Sequence, residues 1–152
     1  MAQTAKQVSM AAGKVEVSLD GADWTDISGH EQSVDAPAQK RISGEGYTHD
    51  GDTALIAGGK REPVEVTVNI VYTEEAADAF EVARALFEAD DGTAMYVKWS
   101  PAGGSGGDAE YSTGAGEIVS FMYPPTDASS GDPIMTAFTV KCAALTQSTV
   151  AT

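Results

Sequence analysis

The chain has 152 residues, the size of one ordinary domain, and its 9 basic and 23 acidic residues give a formal charge of −14. A chain this acidic is poorly suited to gripping nucleic-acid phosphates or to adsorbing to an anionic membrane. Its one cysteine, Cys142, excludes an internal disulfide, and with only two histidines a structural zinc site is close to excluded. Because the first 13 residues hold no apolar stretch of signal-peptide length, we expect a protein made in the cytoplasm.

The beginning of the chain predicts an arm followed by a hairpin. Residues 1–13 are small and polar, which is typical of a mobile or partner-dependent arm. Polar and apolar residues alternate over Lys14–Leu19, and a short strand is predicted over Trp24–Ile27. The turn residues between these two strands favour a hairpin over 14–28.

The next segment gives weaker signals. Pro37 prevents a regular helix, and the strand predicted over Lys40–Tyr47 is weakened by two glycines. Residues 48–61 predict a long exposed loop, and loops of this length are usually functional or disordered. The large apolar residues of this loop are Leu55 and Ile56.

The clearest strand and the clearest helix follow each other. Strict alternation predicts a strand over Val64–Tyr72, with a polar face that includes Glu65, Thr67 and Asn69. A helix is predicted over about 74–90, since apolar residues recur at helical spacing and Thr73 is a good N-cap residue.

The rest of the chain again favours strands. They are predicted over Met95–Trp99, Glu117–Tyr123 and Ile134–Leu145, with a glycine-rich loop over 102–108. The last seven residues, 146–152, predict a polar C-terminal tail. The pattern predicts a mainly β fold with one α-helix, and valine outnumbering leucine by 13 to 4 favours the same class.

Motifs of known chemistry are incomplete in this chain. Residues 20–31 have the length of a calcium-binding loop but carry Ala22 and Trp24 where ligands belong. The glycine-rich run at 103–107 lacks the lysine of a phosphate-binding loop. Both histidines lie in polar, loop-like sequence, and Cys142 lies in an apolar strand where an inert thiol is expected. We therefore expect no enzyme activity, no cofactor and no metal.

Two basic pairs bracket the long loop: Lys40 with Arg41, and Lys60 with Arg61. They hold four of the nine basic residues, and they are either solvated or meet acidic residues of a neighbouring copy. The complementary acids would be those of the predicted helix and its flanks: Glu74, Glu75, Asp78, Glu81, Glu88, Asp90 and Asp91.

Four segments, taken in chain order, carry a resemblance to a known family. They are Trp24–Gly29, Gly59–Thr73 with its Gly-Lys-Arg-x-Pro start, the helix around Ala76–Phe87, and Trp99–Gly104 with its Trp-Ser-Pro start. Their order resembles that of the major tail tube proteins of long non-contractile phage tails, the siphophage tail tube family. The resemblance covers roughly residues 14–145, and its motifs are diffuse.

The resemblance implies a β-sandwich or partial barrel with one flanking helix. Its inner strands would join those of neighbouring subunits, so that about six copies form a ring-shaped β-barrel within the virion. Rings would stack into a tube through which double-stranded DNA passes at ejection without specific binding. Implied partners are further copies of the chain, a tape measure protein inside the tube, and tail terminator and distal tail proteins at its ends, with no membrane binding.

Within this implied architecture, some residues are candidates for particular contacts. Glu65, Thr67 and Asn69 are candidates for the lumen, although an ordinary outer surface is nearly as plausible at each position. A lumen of negative potential would repel DNA phosphates, which agrees with the acidity of the chain. The loop at about 43–61 and the two terminal arms hold too few apolar residues to order by themselves, and the resemblance implies that they order on a neighbouring ring. The candidate inter-subunit contacts are Lys40, Arg41, Leu55, Ile56, Lys60 and Arg61.

Two other interpretations stay open. One is another ring-forming tail component, such as a tail terminator or a distal tail protein. The other is a β-sandwich module that binds carbohydrate, with Trp24, Trp99 and Tyr111 as a stacking platform. The absence of an export signal counts against this second alternative.

Overall fold

A computed structural model of the chain describes residues 2–89 and 91–152. The described residues form eleven strands and one α-helix, preceded by a 3-10 turn at Met10–Ala12. In chain order these are β1 Lys14–Ser18, β2 Thr25–Asp26, β3 Glu31–Asp35, β4 Arg41–Gly46, β5 Leu55–Arg61, β6 Val64–Val71, α1 Ala79–Ala89, β7 Tyr96–Ser100, β8 Ala109–Ser112, β9 Glu117–Phe121, β10 Met135–Cys142 and β11 Thr146–Thr149.

The strands form two main sheets and a separate hairpin. One sheet has five strands in the order β11-β8-β7-β1-β2, and the other has four in the order β3-β6-β10-β9. Strands β4 and β5 pair only with each other, and every strand pairing is antiparallel. This confirms the predicted mainly β class with one helix.

The core lies between the two sheets and the helix. Strands β6 and β10 alternate strictly, so that Val66 lies opposite Val140 and Val68 opposite Phe138, all four buried. Val15, Val17 and Val97 of the five-stranded sheet belong to one cluster with Val68, Phe138 and Val140. Each buried side chain of this size contributes about 1.5–3 kcal/mol, which makes the alternating strands the main source of stability.

The helix covers one end of this core. Phe80 is buried, and its ring lies 4.7 Å from that of Tyr72 and 5.2 Å from that of Phe121. Ala83, one turn later, is also buried and permits close packing against the sheet. No helix among the described residues has the length and apolar character needed to cross a bilayer.

The helix begins at Ala79, five residues later than the predicted start at residue 74. The carbonyl of Asp78 accepts the first helical bond, from Val82, while the Asp78 carboxylate accepts a 2.5 Å bond from the Thr73 hydroxyl. Asp78, and not Thr73, is therefore the N-cap residue. Asp90, the predicted last helical residue, lies outside the described residues.

Several strands stand where sequence predicted none. The predicted loop at 48–61 contains β5, which pairs with β4 to form an exposed hairpin. Strands β3 and β8 occupy segments left without a prediction, and β11 lies inside the predicted tail at 146–152. Six other predictions are confirmed to within three residues at each end: the hairpin β1–β2 and the strands β4, β6, β7, β9 and β10.

Candidate assembly surfaces

One face of the four-stranded sheet is polar and turned away from the core, and we call it the polar wall. Alternation along β6 places Glu65, Thr67 and Asn69 on this face, opposite the buried valines. The strand register adds polar residues of the neighbouring strands to the same face. These added residues are Ser33, Asp35, Glu117, Ser120, Thr139 and Lys141.

Cross-strand hydrogen bonds hold the side chains of the polar wall. The hydroxyls of Thr67 and Thr139 lie 3.0 Å apart. The Asn69 amide donates to the hydroxyl of Ser33 at 2.9 Å and to the carboxylate of Asp35 at 3.0 Å. These polar groups therefore bond to one another across three strands, which leaves fewer free donors for a passing ligand.

The charge of the polar wall is mainly negative. It carries the carboxylates of Asp35, Glu65 and Glu117 against one cation, Lys141. In the strand register Lys141 lies between Glu65 and Glu117. The sequence analysis did not name Lys141 as a candidate for this face. Lys141 follows Ala137 and Thr139 at a spacing of two along β10, between apolar residues, and this spacing is a signal that could have identified it.

The polar wall has a free strand edge on each side. Strands β3 and β9 end the sheet, and each has one edge without a strand partner among the residues that the structure describes. Beside β9, Val119, Met122 and Tyr123 are exposed apolar residues. A free edge bordered by apolar surface is a ready template for pairing with another chain.

The hairpin β4–β5 is exposed along its whole length. Leu55 and Ile56 have exposed fractions of 65% and 79%, and Ile42 and Tyr47 are exposed as well. The two strands carry no residue of the hydrophobic core. Burial of these side chains against a partner would be favourable, because each now contacts solvent.

The two basic pairs meet at the base of this hairpin, and we call them the basic base. Arg41 and Arg61 are direct register partners, each preceded by its lysine. The guanidinium of Arg41 donates to the carbonyl of Gly59 at 3.1 Å, and that of Arg61 donates to the carbonyl of Leu145 at 2.9 Å. The second bond ties the base to the segment between β10 and β11.

Within the described part of the chain, the side chains of the basic base lack the ion pairs that three other cations form. Lys14, Lys98 and Arg84 each form ion pairs with glutamates. Among residues 2–89 and 91–152, none of the four basic side chains of the base forms such a pair. Arg61 and Lys141 also line an open cleft of about 530 Å³ beside the base. Glu117 lines the same cleft, so the positive charge without an ion pair is that of the four side chains of the basic base.

The predicted acidic complement is only partly available. Arg84 bonds Glu81 and Glu88 at 2.7 Å each, so both acids are used within α1. Glu74 and Glu75 are exposed ahead of the helix. Two hydrogen bonds from Thr93 lower the pKa of the Asp91 carboxyl, which keeps it charged.

Other predicted features are separated by the fold. Trp24 packs beneath the Lys98 ammonium, 4.1 Å from the ring centroid, whereas Trp99 packs against the core and lies 6.2 Å from Tyr111. Since Lys98 and Trp99 alternate on β7, these aromatic residues lie on opposite faces and form no common stacking platform. Cys142 is buried, and burial raises the pKa of its thiol, which agrees with an inert role.

Comparison with solved structures gives one consistent result. The chain is similar to a chain in the sheath/tube terminator of the extracellular contractile injection system PVC, with a TM-score of 0.74 and 12% identity. This match covers 96% of this chain and 99% of that one. The tube terminating cap of the anti-feeding prophage matches at 16% identity with a TM-score of 0.71, covering 97% and 96%. A chain in the tail of an empty GTA particle, refined with C6 symmetry, matches at 14% identity with a TM-score of 0.62, covering 99% and 100%.

These likenesses establish the fold. The chain has the tail tube fold over nearly its whole length, shared with components of contractile injection systems and of a GTA tail. No protein-family model matches the sequence, and no curated protein matches it.

Proposed function

We propose that this chain is the repeating structural subunit of a phage-type tail tube, in the non-contractile tail that its sequence resembles. The observation that carries the proposal is the polar wall, an acidic sheet face with a free edge on each side, in a chain with the tail tube fold. The role is structural and not catalytic, and the subunit functions within the virion.

The ring forms by pairing between the free strand edges of neighbouring copies. The β3 edge of one copy pairs with the β9 edge of the next, which is a heterologous contact that closes when the rotation between copies divides a full turn. Closure of the sheet into a shared barrel removes both free edges. Six copies per ring agrees with the C6 symmetry of the GTA tail to which the chain is similar.

The polar wall faces the lumen of this ring. Its carboxylates, Asp35, Glu65 and Glu117, give the lumen a negative potential that repels DNA phosphates over about a Debye length of 8 Å. The hydrogen bonds among Thr67, Thr139, Asn69 and Ser33 reduce the number of groups free to bond DNA. Double-stranded DNA therefore passes without specific binding, after release of a tape measure protein.

The hairpin and its base join successive rings. Leu55 and Ile56 supply exposed apolar surface, and Lys40, Arg41, Lys60 and Arg61 supply unpaired positive charge. The positive charge fits the acidic surface of another copy of this chain, and the apolar side chains gain by burial in the same contact. A tail terminator and a distal tail protein would cover the two ends of the finished tube.

Assembly of the purified chain tests this function. Electron microscopy of concentrated protein should show rings or tubes with a central channel, and sedimentation should show species of about six subunits or more. A protein that stays monomeric at millimolar concentration, with no such protein in purified particles, would contradict the proposal.

A tube terminator is the second candidate, favoured by the matches to a sheath/tube terminator and to a tube terminating cap. Copy number separates the two functions. A tube subunit is among the most abundant proteins of the particle, whereas a terminator contributes a single ring. Quantitative mass spectrometry of purified particles measures this ratio directly.

A further inference from the structure

Three aspartates of the chain are each followed directly by a glycine: Asp20–Gly21, Asp50–Gly51 and Asp91–Gly92. In such a pair the main-chain nitrogen of the glycine lies only a few bonds from the carboxyl carbon of the aspartate. Because glycine has no Cβ, the nitrogen is open to that carbon and the main chain can turn towards it. Each pair can therefore modify itself, and the folded structure decides which of the three reacts.

The first pair, Asp20–Gly21, is held by hydrogen bonds on both reacting groups. The Gly21 amide donates to the Ser18 hydroxyl at 2.9 Å. The Asp20 carboxylate accepts hydrogen bonds from the same hydroxyl and from the amides of Ala22 and Asp23, each at 2.9 Å. The nitrogen and the carboxyl carbon can meet only after these bonds open, so folding protects this pair.

The third pair is held at its carboxylate. The Asp91 carboxylate accepts a hydrogen bond from the Thr93 amide at 2.9 Å, and its bonds with Thr93 lower the pKa of this carboxyl. The amides of Asp23 and Ala22 do the same to the pKa of Asp20. A lowered pKa leaves less of the protonated carboxyl, which is the form that loses its hydroxyl as water.

The pair Asp50–Gly51 differs from the other two because neither reacting group is held. It lies in the exposed turn 47–54 of the hairpin β4–β5, where Gly51 has a φ of +82°. Among residues 2–89 and 91–152, the Asp50 carboxylate accepts no hydrogen bond and the Gly51 amide donates none. The Thr48 hydroxyl bonds the main-chain carbonyl of Asp50, which leaves both reacting groups free. A Cβ built on Gly51 would meet no atom within 4 Å, so the turn has room to rearrange.

We infer that Asp50–Gly51 is the site at which the folded subunit forms a succinimide and then isoaspartate. The Gly51 nitrogen bonds to Cγ of Asp50, and the amide hydrogen leaves with the carboxyl hydroxyl as water, which closes a cyclic imide. Water then opens the imide at either of its carbonyls. Opening at Cγ restores aspartate, whereas opening at the main-chain carbonyl leaves the chain linked through Cγ, as isoaspartate. Water is the only co-reactant in both steps.

The product alters the tip of the hairpin. Isoaspartate adds one atom to the main chain between β4 and β5, and its free carboxylate lies on Cα instead of Cβ. Because the length of a turn fixes how the two strands of a hairpin pair, this extra atom strains or shifts their register. Subunits that age before assembly would carry the altered tip. The inference does not depend on the proposed function, because it requires only the folded subunit.

Incubation of the full-length protein in mildly acidic buffer, well below its melting temperature, tests this site. Methyl transfer from S-adenosylmethionine by a protein isoaspartate methyltransferase measures the product, and tandem mass spectrometry locates it. Trypsin places the three pairs in separate peptides, residues 15–40, 42–60 and 85–98. Isoaspartate should form faster in peptide 42–60 than in peptide 85–98. It should form at least about tenfold faster than in peptide 15–40, where several hydrogen bonds must open first.

Two variants and the unfolded chain are the controls. Asp50→Glu keeps the charge, but its longer side chain would have to close a larger and less favourable ring, so isoaspartate should not form at this position. Ser18→Ala frees the Gly21 amide, so isoaspartate in peptide 15–40 should increase. In urea the fold no longer distinguishes the pairs, and the three peptides should be modified at similar rates.

Several results would overturn the inference. They are equal rates in the three peptides of the folded protein, no isoaspartate at Asp50, or an unchanged rate at Asp20 in a Ser18→Ala variant that keeps its circular dichroism spectrum. A preference for peptide 42–60 that persisted unchanged in urea would overturn it too, because local sequence and not the fold would then be the cause. Since none of these measurements uses rings or tubes, the inference and the proposed function stand or fail separately.

Discussion

At the residue scale, the hydroxyl of Thr136 lies in an unfavourable place. Thr136 is 2% exposed on β10, and its Oγ1 has no hydrogen-bond partner among the described residues. A buried hydroxyl without a partner loses its bonds to water and gains none in return. We therefore expect Thr136→Val, which keeps the shape, to raise the free energy of unfolding by about 1 kcal/mol.

Urea unfolding followed by fluorescence measures this change. Thr67→Val is the matched control on the neighbouring strand, because its hydroxyl bonds that of Thr139 at 3.0 Å. The control should be less stable than the parent by about 0.5–1.5 kcal/mol. If Thr136→Val also lowered stability, the hydroxyl would have a favourable interaction and the assignment would be wrong.

The turn residue Asp20 gives a pH-dependent prediction. Hydrogen bonds from Asp23, Ala22 and Ser18 lower the pKa of its carboxyl below the usual 3.8. Because the folded-state pKa is lowered, this carboxylate stabilises the protein above about pH 4, and the contribution is lost as the pH falls through the folded value. Asp20→Asn should therefore melt at a lower temperature than the parent at pH 7, and this difference should shrink as the pH falls below about 4.

Thermal melts at several pH values check this prediction. Asp52→Asn is a suitable control, since Asp52 is an exposed acid in the hairpin turn and makes no side-chain hydrogen bond among the described residues. A difference between Asp20→Asn and the parent that stayed constant from pH 7 to pH 2 would contradict the role of the charge.

At the element scale, a strand can be predicted from sequence when its own residues alternate between apolar and polar. A strand that forms only because it pairs with a neighbour cannot be predicted in this way. Strand β6 alternates valines and an isoleucine with polar residues, so its bounds were predicted to within a residue. Strand β11 reads Thr-Gln-Ser-Thr and is exposed throughout, and only its pairing with β8 makes it a strand. The β4–β5 hairpin is rich in glycine and likewise depends on its partner strand.

The residues of the polar wall likewise fall into those that could be predicted from one strand and those that depend on strand pairing. The shared face of Glu65, Thr67 and Asn69 could be predicted, because one strand carries all three at a period of two. Lys141 and Asp35 join that face only through strand register, which local sequence does not specify. The helix start was misplaced because Thr73 is a good cap residue by type, whereas its hydroxyl bonds the true N-cap, Asp78.

Removal of the exposed hairpin β4–β5 should prevent assembly but leave the subunit folded. Deletion of Gly46–Gly58 removes no residue of the hydrophobic core and leaves the Arg61–Leu145 hydrogen bond in place. We expect a folded subunit, with a circular dichroism spectrum close to that of the parent, that forms no tubes in electron microscopy. Tubes of unchanged length and number would show that the hairpin does not join rings.

At the scale of the whole molecule, charge is unevenly distributed. The chain carries −14, yet four of its nine basic residues lie together in the basic base. In the proposed tube the acidic polar wall would oppose DNA binding and the basic base would favour acidic partners. The two sets of residues meet at the cleft that Arg61, Glu117 and Lys141 line. An acidic chain is therefore compatible with both DNA passage and self-association.

Reversal of charge in the basic base should impair assembly more than folding. In Lys60→Glu/Arg61→Glu two cations that we propose to face an acidic partner become anions, so repulsion would replace attraction. We expect at least a tenfold rise in the protein concentration needed for tubes, with a small change in melting temperature. Light scattering against concentration and thermal melts on the same samples measure the two effects.

The single variant Lys60→Glu distinguishes the effect of charge on assembly from the effect of losing an intramolecular hydrogen bond. Arg61 donates a 2.9 Å bond to the carbonyl of Leu145, so the double variant also loses an intramolecular contact. Lys60 makes no side-chain hydrogen bond among the described residues, so Lys60→Glu changes charge alone. If attraction between copies is the cause, Lys60→Glu should impair assembly without a loss of stability, and added salt should weaken assembly of the parent. Normal assembly of both variants would leave the basic base an ordinary solvated surface.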